Sequence, residues 1–195
     1  MKQNPKIIYN REEMCDLNIK ALKSRGVEIA DIAAIAYKQQ SKYTPTISYD
    51  RCVESVLRLL TYRDIFHYIQ LGIEIDRLAE VKAFREPIQS IIEQDLGLFG
   101  CDETIGLDIA RNYGTIGQTN FGDIDVNKVG IVRDLNEQGK TPGHVHTFLD
   151  DIVGALAAAA STRVAQMHNE DIALEGDNQV DIFELAKSHG RTKKI

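Results

Sequence analysis

The stretch Ile152–Ala160, Ile-Val-Gly-Ala-Leu-Ala-Ala-Ala-Ala, is the longest uninterrupted apolar run in the chain and restricts its fold more than any other segment. A membrane-spanning helix needs roughly 20 such residues, so this run is far too short to cross a bilayer. As part of a helix over His146–His168 it shows Asp151, Ala155, Ala158 and Thr162 on one face, and Asp150, Gly154, Ala157 and Ser161 on the next. Side chains this small permit near backbone-to-backbone packing. That would carry Asp150 and Asp151 into a bundle interior rather than onto a solvated rim.

Elsewhere apolar residues recur at spacings of three and four, not two, and only four prolines interrupt them, so the expected fold is all-α. The spacing predicts a single-domain bundle of seven to eight helices over residues 1–170, with a weakly structured tail over 171–195. Asn10 and Glu13 resemble a capping box for a first helix that Gly26 ends at Arg25. A second helix covers Glu28–Gln40, and Ser48 caps a third. A long helix follows over Tyr62–Phe84, and Pro87 opens the next. Asp102–Tyr113 forms a short helix stopped by Gly114. The glycine-punctuated stretch after it holds one helix over Asp123–Gln138. A weak helix is expected around Val180–Lys187.

The 195 residues, 43% hydrophobic, suit one core. A net charge of −6 leaves no basic field to hold a polyanion, which disfavours nucleic acid. Leu22–Tyr37 superficially resembles a helix–turn–helix, but its second helix is Ile-Ala-Asp-Ile-Ala-Ala-Ile-Ala, a packing surface without groups to read base edges. Cys15, Cys52 and Cys101 are isolated, and the N-terminus lacks an apolar core, so a reduced, cytoplasmic protein without disulfides or structural zinc is expected. An apolar face on the early helices and the Ala-rich last helix suggest a homo-oligomer.

Carboxylates then appear where a core face should be. The long helix carries the stripe Tyr62, Phe66, Ile69, Ile73, whose next position is Asp76, with Glu80 one turn on. An acid continuing a buried stripe must be paired, protonated or cation-bound; otherwise the stripe ends and Asp76 pairs with Arg77 or a lysine at the surface. Asp102 and Glu103 open a short helix in the apolar, glycine-flanked Gly100-Cys-Asp-Glu-Thr-Ile-Gly106, as plain N-terminal acids or as ligands. Asp150 and Asp151 repeat the arrangement, and Asp123 and Asp125 stand beside Lys128. Such acids on separate helices are a ligand set for a hard divalent cation, magnesium or manganese rather than zinc. His144-Val-His146 lacks the Asp that commonly follows in His-x-His hydrolases, since position 148 is Phe. It reads either as two loop histidines or as His146 lining the site beside Asp150.

Asp102-Glu-Thr-Ile-Gly106, Asp125-Val-Asn-Lys128 and Phe148-Leu-Asp-Asp-Ile-Val-Gly-Ala155 resemble, in this order, the acidic motifs of the phosphatidylglycerophosphatase A family. The soluble branch, low-temperature-requirement protein C, looks closest. The match extends over about Ile29–Gln166 and includes Gly72-Ile-Glu-Ile-Asp76, Thr119-Asn-Phe-Gly122 and His144–Asp151. The resemblance implies a magnesium-dependent phosphatase that converts phosphatidylglycerophosphate to phosphatidylglycerol. It would use Asp102, Glu103, Asp150 and Asp151 for the metal, with Glu103 or Asp151 also able to activate water. Asp125 would support the metal or Lys128, and Lys128 would stabilise the phosphoryl charge. Asp76, Glu80, Asn120, His144 and His146 rank second.

Membrane-bound members carry hydrophobic spans and an arginine near the middle motif. This chain has neither: Gly122 stands at the arginine's place, and Arg133 or Arg163 are the candidates to supply its charge. Contact with a lipid would be at most peripheral, at the inner membrane face, with the Lys187–Lys194 tail as one basic element. The alternatives are a phosphatase of a soluble phosphomonoester or nucleotide, and a non-catalytic helical regulator. The paired Glu-x-x-Glu and Glu-x-x-Asp repeats of helical nucleotide phosphohydrolases are not clear here.

Overall fold

A computed structural model describes residues 6–175. Among these the chain forms only helices: α1 (Arg11–Lys23), α2 (Ile29–Gln40), α3 (Tyr49–Leu59), α4 (Arg63–Glu80), α5 (Ile88–Glu93), α6 (Cys101–Ala110), α7 (Gly114–Asn127), α8 (Ile131–Gly139) and α9 (Leu149–Glu175), with a 3-10 turn over Arg111–Tyr113. The expected all-α single domain is what the chain adopts. The Val180–Lys187 helix and the Lys187–Lys194 tail lie outside the described residues, and α9 continues five residues past the expected boundary at 170.

α9 is the axis of the bundle. Every side chain from Val145 to Thr162 is buried, and α2, α3, α4, α6, α7 and α8 pack around it. A helix apolar on all faces is stable only when enclosed on all faces. Small residues set the close approaches. A Cβ on Gly72 of α4 would stand 2.4 Å from Ile152 Cδ1, and one on Gly154 would stand 3.3 Å from Ile124 Cγ2. The first acidic pair is held likewise, because a Cβ on Gly106 of α6 would stand 2.5 Å from the Phe121 ring of α7.

Local signals act as expected at several ends. Asn10 accepts from the Glu13 N–H and Glu13 from the Asn10 N–H, and Ser48 Oγ accepts from the Asp50 N–H. α2 turns Ile32, Ala33, Ile35 and Ala36 inward, as a packing helix does. The expected single helix over Asp123–Gln138 is corrected: α7 starts at Gly114, and the chain breaks at Lys128 (φ 41°) and Gly130 (φ 56°) before α8. Gly117 is not a stop signal but a contact, since a Cβ there would meet the Ala110 carbonyl oxygen at 2.1 Å. α4 ends at Glu80 rather than near Phe84, with Lys82 left-handed at φ 55°.

Candidate functional site

The carboxylates that continue the α4 stripe do not end it in solvent. Asp76 is fully buried, and its two oxygens accept the N–H groups of Phe148 (3.1 Å) and Leu149 (3.0 Å). It thus ties down two of the N–H groups that the first turn of α9 cannot satisfy internally. Burial pushes the Asp76 carboxyl well above the ordinary carboxylate range, although those two N–H bonds pull the other way. Surface pairing with Arg77 or a lysine is therefore not its role.

Glu80, one turn on, accepts the Val145 N–H (3.0 Å) and a two-pronged pair from Arg25, Nη1 to Oε2 at 2.9 Å and Nη2 to Oε1 at 2.6 Å. Arg25 Nη2 also donates to the Val145 carbonyl at 2.9 Å. Burial alone would raise the Glu80 carboxyl, but Arg25 and the Val145 N–H outweigh it and hold it low. A guanidinium only donates, so His146 Nδ1, 3.2 Å from Arg25 Nη2, is the acceptor, and Nε2–H donates to Gln138 Oε1 (3.2 Å). Burial and then Arg25 push the imidazole down to about 4. His146 is a neutral strut, and both its nitrogens are engaged away from proton transfer. Asp76, Glu80 and His146 are therefore positioning groups for the segment that enters α9.

That segment delivers Asp150 and Asp151, both buried. Facing them is the first turn of α6, where Gly100 (φ 69°) turns the chain and Asp102 and Glu103 follow. Asp102, Glu103 and Asp151 each offer an oxygen within 4.8 Å of the other two, and they form the group of acids that could hold a metal ion among the described residues. Asp102 Oδ1 and Glu103 Oε2 are buried with no hydrogen-bond partner. Both stand against a third carboxylate, that of Asp151.

Lys128 lies on the other side of the acids. Its Nζ is 2.6 Å from Asp125 Oδ1, 3.0 Å from Asp150 Oδ2 and 3.8 Å from Asp151 Oδ1. The i,i+3 pair expected from sequence is only part of what this lysine does. Burial would lower its pKa, but the three aspartates outweigh it and keep the ammonium charged. Asp150 thus serves Lys128, while Asp151 belongs to the three-acid group.

A cleft of about 960 Å³ opens beside Asp150, lined among others by Asp95, Lys140, His144, His146 and Thr147. His144 is exposed there, its Nδ1 3.2 Å from Thr141 Oγ1. Asp95 carries no sequence signal, since an acid before Leu96-Gly97 reads as an ordinary turn; the residue is exposed, yet the protein around its carboxyl desolvates it enough to raise it, and the charges of Lys128 and Glu103 reach it. Arg25 was equally silent. Asn120 is elsewhere: its Nδ2 donates to Thr162 Oγ1 (3.0 Å), and Thr162 lies eleven residues, roughly 16 Å, along α9 from Asp151. Nor do the proposed arginines reach the centre. Arg133 pairs with Asp134 in solvent, and Arg163 donates to Ser55 Oγ (2.8 Å). Among the described residues Lys128 is the cation that meets these acids.

The crowded acids hold their protons unusually well. Burial, then the neighbouring Glu103, raises Asp102 to about 8; burial, then Asp150 and Asp125, raises Asp151 to about 9; and burial, against the pull of Lys128, raises Asp150 to about 6. In the unfolded chain these groups titrate near ~4, so the unfolded state releases its protons first. Their contribution to the stability of the cation-free protein is therefore fully present below that pH and is lost as pH rises through about 6 to about 9. Thermal unfolding in chelator should show this slope, and millimolar magnesium should flatten it. A cation-free midpoint that rises over that interval would contradict the grouping.

An all-helical bundle with an acid-and-lysine centre between three helices defines a class, and the comparisons name it. The model of the family described as Phosphatidylglycerophosphatase A matches residues 27–166, and this chain belongs to that family. It is similar to YpjQ of Bacillus subtilis, with 46% identity over 162 residues, 83% of this chain and 90% of YpjQ. The YpjQ crystal structure aligns with a TM-score of 0.78 over 83% of this chain and 99% of that one. The low temperature requirement C protein of Listeria monocytogenes aligns at 0.76 with 43% identity, over 80% of this chain and 97% of that one. Among the described residues no helix is long and apolar enough to cross a membrane.

Proposed function

We propose that this protein is a magnesium-dependent phosphomonoester hydrolase acting on phosphatidylglycerophosphate. One observation carries the reading: three carboxylates on two helices converge within 4.8 Å, with two buried oxygens unpartnered, beside a lysine that keeps its charge. Oxygen-only donors of this kind fit a hard divalent cation. Asp102, Glu103 and Asp151 would hold magnesium, which when bound supplies Lewis-acid polarisation of a phosphoryl oxygen and acidifies an attacking water.

The chain's own groups do the rest. Lys128, braced by Asp125 and Asp150, presents a fixed positive charge to the phosphoryl oxygens, where negative charge rearranges in the transition state. Water oxygen forms the new bond to phosphorus, the bond to the glycerol oxygen breaks, and that oxygen leaves as a hydroxyl with the proton the water gave up. The cleft beside Asp150 receives the polar part of the leaving group. Asp76, Glu80 and Arg25 hold the start of α9 so that Asp150 and Asp151 keep their separate partners.

The test is phosphate release from phosphatidylglycerophosphate in mixed micelles, beside soluble phosphomonoesters and nucleotides, with and without magnesium. Turnover of the lipid that requires the cation supports the reading, and turnover of soluble phosphates alone replaces the substrate. No turnover and no cation binding leaves a structural bundle. Lys128→Met should cost about a hundredfold in kcat at saturating magnesium. An unchanged kcat would remove Lys128 from the chemistry.

A further inference from the structure

The loop between α5 and α6 is built to project. At its start the Ile92 carbonyl accepts from Thr147 Oγ1 (2.6 Å), and at its end the Phe99 ring packs edge-on against Phe148 with centroids 6.1 Å apart. Both anchors lie on the segment that enters α9, two or three residues before Asp150. The Leu96 N–H donates back to the Ile91 carbonyl of α5 (3.1 Å) and, inside the loop, the Phe99 N–H donates to the Leu96 carbonyl (2.9 Å), so backbone bonds hold the turn. Residues 94–98 are all exposed.

What the loop exposes is apolar. Leu96 is 53% and Leu98 102% accessible, and Leu98 is left-handed at φ 72°, a conformation that disfavours any residue with a Cβ. Asp95 beside them is left-handed as well (φ 47°). A single exposed leucine needs no explanation. Two on one ordered turn, one of them held outward against its backbone preference, between a cleft residue and the Asp102–Glu103 helix, do.

We propose that the Gln94–Gly100 loop docks on a phospholipid surface, with Leu96 and Leu98 entering its apolar edge and bringing the carboxylate centre to the headgroup phosphates. The choice of lipid rests on the phosphatase reading: a chain of this family in which no described helix is able to cross a membrane meets its lipid from the water side. Charge does not do the work. The chain carries −6, and the cleft lysines Lys82 and Lys140 are each paired, to Glu93 and Glu137. Attachment by two leucines is therefore apolar, so it persists in high salt and does not require anionic lipid.

The experiment reads binding without turnover. Flotation with phosphatidylcholine vesicles lacking any phosphomonoester should capture the protein at low and high salt. The Leu96→Ser/Leu98→Ser double variant should lose at least about tenfold in vesicle affinity. Its kcat/KM on monomeric dihexanoyl phosphatidylglycerophosphate should stay unchanged. Because the chain has no Trp, Leu98→Trp gives a single reporter, whose emission should shift to the blue on vesicles and be quenched by brominated acyl chains. The proposal is overturned if the native protein ignores vesicles, if the double variant binds them equally well, or if its monomeric-substrate turnover falls in step. It is also overturned if the double variant instead dissociates a dimer and Leu98→Trp shows no shift, which would make a second copy the occupant. Vesicle binding that depends on the leucines in a protein inactive on every phosphomonoester would end the phosphatase reading and leave the docking surface standing.

Discussion

Asp151→Asn should lower kcat/KM for phosphate release at least about a thousandfold, equivalent to roughly 4 kcal/mol of transition-state stabilisation. The asparagine keeps the size of the side chain but removes the charge that Asp102 and Glu103 share with it, and with it the third oxygen anion for a cation. The same substitution should stabilise the cation-free protein. A buried carboxylate crowded by Asp150, Asp125 and Asp102 costs folding energy that a neutral amide does not. A rise of a few degrees in the midpoint, at roughly 2–4 °C per kcal/mol for a chain of this size, is expected in chelator and should disappear in magnesium. Loss of activity accompanied by a lower midpoint in chelator would mean that Asp151 holds the fold rather than the cation.

Asp76→Ala should produce the largest loss of stability of any acid in the protein, about 4 kcal/mol. It strands two buried N–H groups at roughly 1–3 kcal/mol each and leaves the first turn of α9 without its acceptor. Against a typical total of about 5–15 kcal/mol this is a large share, readable as a lower urea midpoint with an unchanged slope. Asp76→Asn retains one acceptor and should lose less. A variant that remains as stable as the parent but is inactive would move Asp76 from support into chemistry.

The acids illustrate how far sequence reading reaches here. A carboxylate on an apolar stripe identifies Asp76 as a group that needs a partner, and small residues after Asp150 and Asp151 place that pair indoors. What no local pattern supplies is the partner. Asp76 meets backbone seventy-two residues away, and Lys128 reaches past Asp125 to Asp150. Helical spacing makes His146 a neighbour of Asp150, yet α9 begins only at Leu149 and the ring turns to Arg25 and Gln138. The α7 boundaries escape local reading for a related reason: Gly117 and Gly122 look like punctuation, but Gly117 is a helix residue whose missing side chain makes room for the Ala110 carbonyl, seven residues upstream. Caps such as Asn10–Glu13 and Ser48 were legible because they close within four residues.

The placement of α9 also governs when this domain can acquire its structure. Every earlier helix that packs on the axis is synthesised before it, and each leaves the ribosome with its inward face uncovered. Those faces find their common partner only once the residues of α9 have emerged, so the bundle completes its core after α9 is made and nearly all at once. The pair Asp102–Glu103 meets Asp151 at that same moment, so the three acids come together only once α9 has packed.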